Sequence, residues 1–593
     1  MITLKKFLPG LFLILFFVQV NAQKGQDSWK TIFEKSGFIL TPDYDETMEY
    51  FQRLADNSEF ASFITFGISP QNRELKYLIV TNENLDGIQF PSNGNYIRKL
   101  SKPVVLILNG IHSGEIEGKD ASMLLLREIL ITKAKEYLLD SINIIVVPIF
   151  NVDGHERKSK YNRINQNGPE EMGWRTTAQN LNLNRDWMKA YAPEMKAMLK
   201  LINEWLPGFV IDTHTTDGAD YQYRVTYSVE TSKNINRQIG DWLYNDFEPY
   251  LETEVKQKGF LIFPYVYLKD WDKGLDEGLI YWAATPRFSS GYFALRNRPM
   301  LLIETHMLKP YKDRVYATKA VLEATLEFIY KNSSMLAKIN KNADENSGQL
   351  VGTYLPLSYS NSEKFRIVDF NGYEYYWDSS LVSSTKKLVY TNDKKDFALK
   401  YYDDIIVTDS IKVAKGYYIP PEYSFLVEKL NLHGIEPSFF IRESRIDTVT
   451  RYKFKNVKFA ESSYEGRQTV TFDYDTYAEV INIPQGSYLF LTENSNARLL
   501  TNLLEPKSAD SFIAWGFMNE IFEQKEYYED YVMEKIAEEM LKNDPELRKE
   551  FEEKLKTDEN FKNNPKARLD FFYERSPYPD KQLNVYPILR IEK

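Results

Sequence analysis

Four aliphatic runs set most of what this chain can fold into. Pro103 to Asn109 (PVVLILN), Ser141 to Phe150 (SINIIVVPIF), Phe209 to Thr213 and Pro299 to Ile303 are continuous β-branched and aliphatic stretches, the pattern of strands buried on both faces. Between the first two, Lys119 to about Ala134 has helical spacing. Upstream, from about Asp43 to Asn57, Met48, Phe51, Leu54 and Ala55 recur at helical intervals before a further strand around Leu75 to Thr81. Strands alternating with helices predict an α/β domain, a mostly parallel sheet covered by helices. In such sheets ligand sites collect beyond the carboxyl ends of the strands, so the polar residues that follow these runs are the candidates for chemistry.

At 593 residues the chain exceeds what one hydrophobic core serves, and its texture changes beyond about Asn340. Stretches such as FRIVDFNGYEYYW and YDDIIVTDSIKV read as strands of a β-rich accessory domain. From Ser511 to about Phe572 the pattern is charged helix, with Asp544 and Pro545 placed as an N-cap and a first-turn proline. The expected division is a signal peptide at 1–22, a catalytic domain at 23–340, the β-rich accessory domain at 341–500 and a helical C-terminal region at 501–593. At the N-terminus Lys5 and Lys6 precede an apolar run from Phe7 to Val18, and Val20-Asn21-Ala22 offers what a signal peptidase reads. That run is shorter than a bilayer span needs. The expectation is a secreted or periplasmic protein cut after Ala22, with no integral membrane span in the mature chain. A formal charge of -10 lacks the basic excess that nucleic acid demands, so nucleic acid is excluded as a partner. Nothing in the pattern encodes an oligomeric state.

Cysteine is absent, which removes disulfides, thiol nucleophiles and Cys-ligated metal together and leaves His and carboxylates as strong ligands. Five histidines exist: His112, His155, His214, His306 and His433. His112 and Glu115, three apart in NGIHSGEIEG, follow the first buried run in a turn that contains Gly110 and Gly114. His214, in FVIDTHTTDG, follows the third. Two imidazoles and one carboxylate are the ligand set of a catalytic zinc site that keeps a position open. An HxxE pair alone arises readily by chance; here it is one member of an ordered set.

That set resembles the zinc metallocarboxypeptidase family, the carboxypeptidase A-like peptidases, from about Thr41 to Arg314. HSGE (112–115) is similar to the family's HxxE ligand pair and FNVDGHER (150–157) to its Asn-Pro-Asp-Gly segment, with Val152 in place of proline. Trp174-Arg175 and Asn184-Arg185 resemble its Trp-Arg and Asn-Arg elements, His214 its third ligand and Glu304, in MLLIETH, its late glutamate. The resemblance implies an α/β/α sandwich around a mixed, mostly parallel sheet, with zinc held by His112, Glu115 and His214. It also implies roles: Glu304 takes and returns the water's proton, Arg175 steadies the oxyanion, and Arg185 with Asn184 grips the carboxylate of a peptide's free C-terminus. Tyr281, near the spacing of the family's mobile tyrosine, is assigned to substrate binding.

Some positions depart from the family. Asn182 stands where an acidic residue often orients a ligand imidazole, and Asp212, on the same face of its strand as His214, is a candidate for the missing charge. Gly114 stands where some relatives carry arginine, and Asp186 is placed to pair with Arg185. Glu117 reads as a solvated or capping carboxylate, and His155, His306 and His433 as non-ligands. The implied function is a secreted zinc carboxypeptidase. Two alternatives stay open: a zinc amidase or deacylase acting on cell-wall peptides or N-acyl amino acids, and a non-catalytic peptide- or glycan-binding protein.

Overall fold

The computed structural model of the protein describes residues 28–85, 100–216, 218–231 and 233–592; the signal segment at 1–22 lies outside them. The first strands are β1 (Ala61–Ile68), β2 (Glu74–Val80), β3 (Val104–Leu108), β4 (Asn143–Val147), β5 (Phe209–Thr216), β6 (Val225–Ser228) and β7 (Ile262–Pro264). Then β8 (Leu268–Asp270) and β9 (Gly274–Ile280) leave the sheet, and β10 (Met300–His306) returns to it. The eight-stranded mixed sheet runs β1-β2-β4-β3-β5-β10-β6-β7. Its centre, from β4 through β3 and β5 to β10, is parallel, and β2 and β6 flank it antiparallel.

Every residue of β3, β4 and β5 is buried, and their side chains alternate between two cores. Val105, Ile107, Ile144, Val146 and Ile211 face one layer, made by the helices Tyr44–Asp56, Glu117–Leu130 and Tyr311–Ser347. Val104, Leu106, Leu108, Ile145 and Val210 face the other, which contains the helix Pro193–Trp205. This period-two division is why the runs read as apolar throughout. The helix Tyr44–Asp56 begins where Asp43 and Glu46 exchange a reciprocal capping box.

From β3 the chain goes to β4 on one side, and from β4 it crosses to β5 on the other. The carboxyl ends of β3 and β5 therefore border the crevice where the strand order reverses, the place such sheets offer a ligand.

Beyond this sheet come β11 (Tyr354–Asn361), β12 (Arg366–Ser379), β13 (Lys386–Tyr402), β14 (Ile405–Lys412), β15 (Gly416–Ile419), β16 (Phe439–Phe440), β17 (Arg445–Phe459), β18 (Val470–Ile483), β19 (Tyr488–Leu491) and β20 (Leu589–Ile591). They are not set apart from the first sheet. The expected boundary at residue 340 falls inside the helix Tyr311–Ser347, which packs on the sheet along its first core. β9 pairs with β13, so one four-stranded sheet draws on both sides of that boundary. Helix Ala497–Leu504 joins the second core, and β20, at the end of the helical region, sits inside a six-stranded sheet between β15 and β17. The helices Asp530–Asn543, Pro545–Thr557 and Pro565–Arg575 close on a small core of their own, with Asp544 capping the middle one ahead of Pro545. Among the described residues no helix is long and apolar enough to cross a membrane.

Candidate metal centre

After β3 the chain turns at Gly110, whose φ of 66° suits glycine, and brings His112 and Glu115 to the crevice. His214 lies in the last part of β5. The three are buried, and their ligand atoms all lie within 4.8 Å of one another. His112 Nδ1 is 3.1 Å and His214 Nδ1 2.9 Å from Glu115 Oε2, with the two rings 5.0 Å apart. Behind the rings, His112 Nε2 is hydrogen-bonded to Asn182 Oδ1 at 3.0 Å, and Asp212 Oδ2 lies 3.0 Å from His214 Nε2 at ion-pair distance without an aligned hydrogen bond. An N–H on each outer nitrogen leaves both Nδ1 lone pairs facing the carboxylate. This donor set, two imidazoles and one carboxylate converging from three directions, fits zinc.

Electrostatics shows how much the centre is built around a cation. Burial pushes His112 down to about 4 despite Glu115. Burial would raise Glu115, but His112 and Arg163 hold it well below the ordinary carboxylate range. Burial opposes a charge on His214 too, yet Asp212 and Glu115 raise it well above an ordinary imidazole.

Glu304 stands beside His214 because of strand register: in the parallel β5–β10 pair these two residues are direct partners. Its side chain borders the same cavity, about 450 Å³, as the triad. Enclosure by protein lifts its carboxyl to about 8; His214 lowers it, and Glu115 and Asp212 raise it further.

Arg175 reaches the centre from a loop, its NH1 3.1 Å from Glu115 Oε1. Asn151, which also caps the short helix Val152–Glu156, holds the Arg175 carbonyl through its Nδ2. Arg185 lies apart from that cavity, stacked 3.9 Å over Phe288, its NH1 bonded to the Asn184 carbonyl. Asp186 turns away from it, pairing with Lys189 and accepting from the Tyr191 and Ala192 amides. Asn184 is a brace, its Oδ1 accepting from Trp187 Nε1 and the Ser289 amide.

Besides the pairing of Asp186 with Arg185, two further expectations need correcting. Tyr281 does not enter the cavity of the triad: its hydroxyl bonds the Val229 carbonyl and Glu230, and it lines a separate cavity of about 340 Å³. The tyrosine that borders both cavities is Tyr265. Glu117 is neither solvated nor a cap, being buried against Arg314 at 2.8 Å and Thr215 Oγ1 at 2.7 Å. The remaining histidines are structural: His155 bonds Glu156 and Lys119, His306 bonds Asp220, and His433 bonds Tyr292 and the Met188 carbonyl.

Sequence reasoning missed Arg163. Its NH1 is 2.9 Å from Glu115 Oε1, and its stem fills the space that a side chain at 114 would occupy, since a Cβ there would fall 2.8 Å from Arg163 Cδ. Gly114 stands where some relatives carry arginine, and here the positive charge beside Glu115 arrives from position 163. The glycine itself was the signal.

Residues 47–258 match the family model described as zinc carboxypeptidase. That region is a zinc carboxypeptidase domain. The match supports metallocarboxypeptidase chemistry in that region, and zinc is the metal that His112, Glu115 and His214 suit. The match ends before Glu304. Carboxypeptidase 2 of Trichophyton rubrum is 24% identical over 499 residues, covering 80% of this chain and 84% of the relative. Carboxypeptidase 2 of Trichophyton tonsurans is 24% identical over 497 residues, with shares of 80% and 84%. Among solved structures, a metallo-carboxypeptidase from Burkholderia cenocepacia is 17% identical, covering 48% of this chain and 69% of its own, with a TM-score of 0.35.

Proposed function

We propose that this carboxypeptidase removes the last residue of peptides with a free C-terminus, using Glu304 as general base and acid, and that it works outside the cytoplasm. The observation that carries the reading is the register of β5 and β10, which sets Glu304 next to His214 on the wall of the cavity that the triad shares. His112, Glu115 and His214 would hold zinc, which would supply a Lewis acid to polarise the scissile carbonyl and make water more acidic. Glu304 Oε then accepts the proton of the attacking water and hands it to the leaving amine. Arg175, fixed through Asn151, donates to the oxygen that gains charge as the carbonyl becomes tetrahedral. Arg185 is free of Asp186 and can meet the terminal carboxylate with two parallel N–H donors. Export is supported by the segment Lys5 to Ala22.

The test combines metal content with hydrolysis of short N-blocked peptides carrying free or amidated C-termini. Glu304→Gln is expected to keep its zinc and lose about 10² to 10⁴-fold in kcat, and amidated peptides to be poor substrates. A zinc-loaded Glu304→Gln with full activity sinks the general-base role, and equal rates on free and amidated ends turn the reading toward an amidase.

A further inference from the structure

Asp212 stands behind the His214 ring with little to hold it. It is fully buried near the middle of the sheet, where its direct strand neighbours are Leu108 on β3 and Leu302 on β10. Its Oδ1 has no hydrogen-bond partner, and its Oδ2 lies 3.0 Å from His214 Nε2 without an aligned bond. A carboxylate enclosed among apolar neighbours needs a donor, because burial without one is costly. Among the described residues the one aligned donor is Ser289, whose Oγ donates to Asp212 Oδ2 at 2.7 Å.

Ser289 is itself held in place by the segment that carries Arg185. It opens the helix Ser289–Leu295, every residue of which is buried. Phe288 before it provides no side-chain cap, so the Ser289 amide is one of the first-turn donors that a helix leaves unpaired. Asn184 supplies the acceptor. Its Oδ1 takes the Ser289 amide at 2.9 Å and Trp187 Nε1 at 3.2 Å, while the rings of Tyr292 and Phe293, further along the helix, each lie 5.3 Å from Trp187. The helix start has no room to move toward the preceding loop either, since a Cβ on Gly291 would fall 2.3 Å from the Thr285 carbonyl oxygen. The direction of the Ser289 hydroxyl is therefore fixed by packing on both sides.

We infer that Ser289 is a positioning residue of the metal centre: its hydroxyl sets where Asp212 Oδ2 sits, and Asp212 in turn orients the His214 imidazole. A neutral hydroxyl suits this place, because it can donate to Oδ2 without cancelling the charge that faces His214. Groups behind a ligand hold it in the orientation that the metal needs, and their loss loosens the metal. Through its amide and its hydroxyl, one serine thus joins Asn184, beside the proposed carboxylate grip, to the strand that ends in a metal ligand.

The inference rests on His214 as a zinc ligand, and the experiment separates the two. Zinc affinity of the full chain is read by competition with a chelator of known affinity. Ser289→Ala removes only the hydroxyl and should weaken zinc binding about tenfold, whereas Ser289→Thr, which keeps a donor, should stay within about threefold of the parent. In an Asp212→Asn background, where the carboxylate through which Ser289 acts is gone, Ser289→Ala should add less than about twofold. Parental affinity in Ser289→Ala overturns the role of the hydroxyl. So does a Ser289→Thr as weak as Ser289→Ala, or an undiminished further loss in the Asp212→Asn background, because each marks a packing defect that does not pass through the carboxylate. A parent chain that binds no zinc overturns the ligand reading itself and the inference with it.

Discussion

The two imidazoles of the metal centre are held by unlike groups, and that difference has consequences at single positions. Asn182 offers His112 an amide oxygen, while Asp212 places a carboxylate oxygen 3.0 Å from His214 Nε2. A carboxylate behind an imidazole makes the ring more basic and fixes its tautomer. Asp212→Asn is therefore expected to weaken zinc binding about 10 to 100-fold, read by competition with a chelator of known affinity; unchanged affinity would mean that position 212 only fills space. Glu194 carries a different lesson. It is buried at the start of the helix Pro193–Trp205 with no side-chain partner among the described residues, and burial, aided by Asp153 and Asp186, pushes its carboxyl up to about 7 from an ordinary 4.5. The folded state then binds this proton more tightly than the unfolded state does. Stability from this group is complete below pH 4.5, declines as pH rises, and is lost above about 7. Glu194→Gln should match the parent at pH 4.5 and exceed it by up to about 3 kcal/mol at pH 8, measured by urea unfolding at both values. A variant no more stable at pH 8 would show that the carboxylate finds compensation when it ionises.

At the scale of elements, the approach of the helix Glu117–Leu130 to the sheet depends on one missing side chain. A Cβ on Gly118 would lie 2.1 Å from Thr213 Oγ1 and 2.3 Å from Asn109 Oδ1, and both atoms are bonded to each other across β3 and β5. Gly118→Ala must push the helix outward or break that bond. The expected loss is about 1 to 3 kcal/mol in denaturant unfolding, with weaker zinc binding because Glu115 lies three residues before the helix's first close contact. An unaltered midpoint would mean that the helix has room to shift. The same elements show what was legible beforehand. β3, β4, β5 and β10 were readable because burial on both faces makes the greater part of each run apolar, and the triad was readable because its members lie in or shortly after β3 and β5. β1 was not, since as an edge strand it is only half-covered and its pattern mixes polar with apolar positions. Tyr281 was placed by counting back from Glu304, but its position is set by a pairing that no local pattern reveals: β9 runs beside β13, and the Tyr281 amide donates to the Tyr402 carbonyl. Arg163 escaped for the same reason, reaching Glu115 from a loop whose course depends on the finished fold.

For the whole molecule, the second core decides whether the catalytic part can stand alone. On that face of the sheet Val210, Trp187 and Tyr292 pack in one cluster with Leu426, Leu499, Leu500, Ile513 and Tyr586. The latter five all lie beyond the helix that ends at Ser347. Cutting the chain there uncovers the sheet's own apolar face and also removes β13 from beside β9. Each large side chain returned to water costs about 1.5 to 3 kcal/mol, so exposing several is comparable with the about 5 to 15 kcal/mol that holds a domain folded. A chain ending at Ser347 is therefore expected to be insoluble or to bind a hydrophobic dye, although it keeps every proposed ligand and Glu304. The full chain, in turn, should lose its zinc site and its second core in one denaturant transition, followed by metal release and by tryptophan fluorescence from Trp187 and Trp515. Two separated transitions, or a soluble shortened chain that binds zinc and unfolds cooperatively, would show that the later region is an attachment and not a shared core.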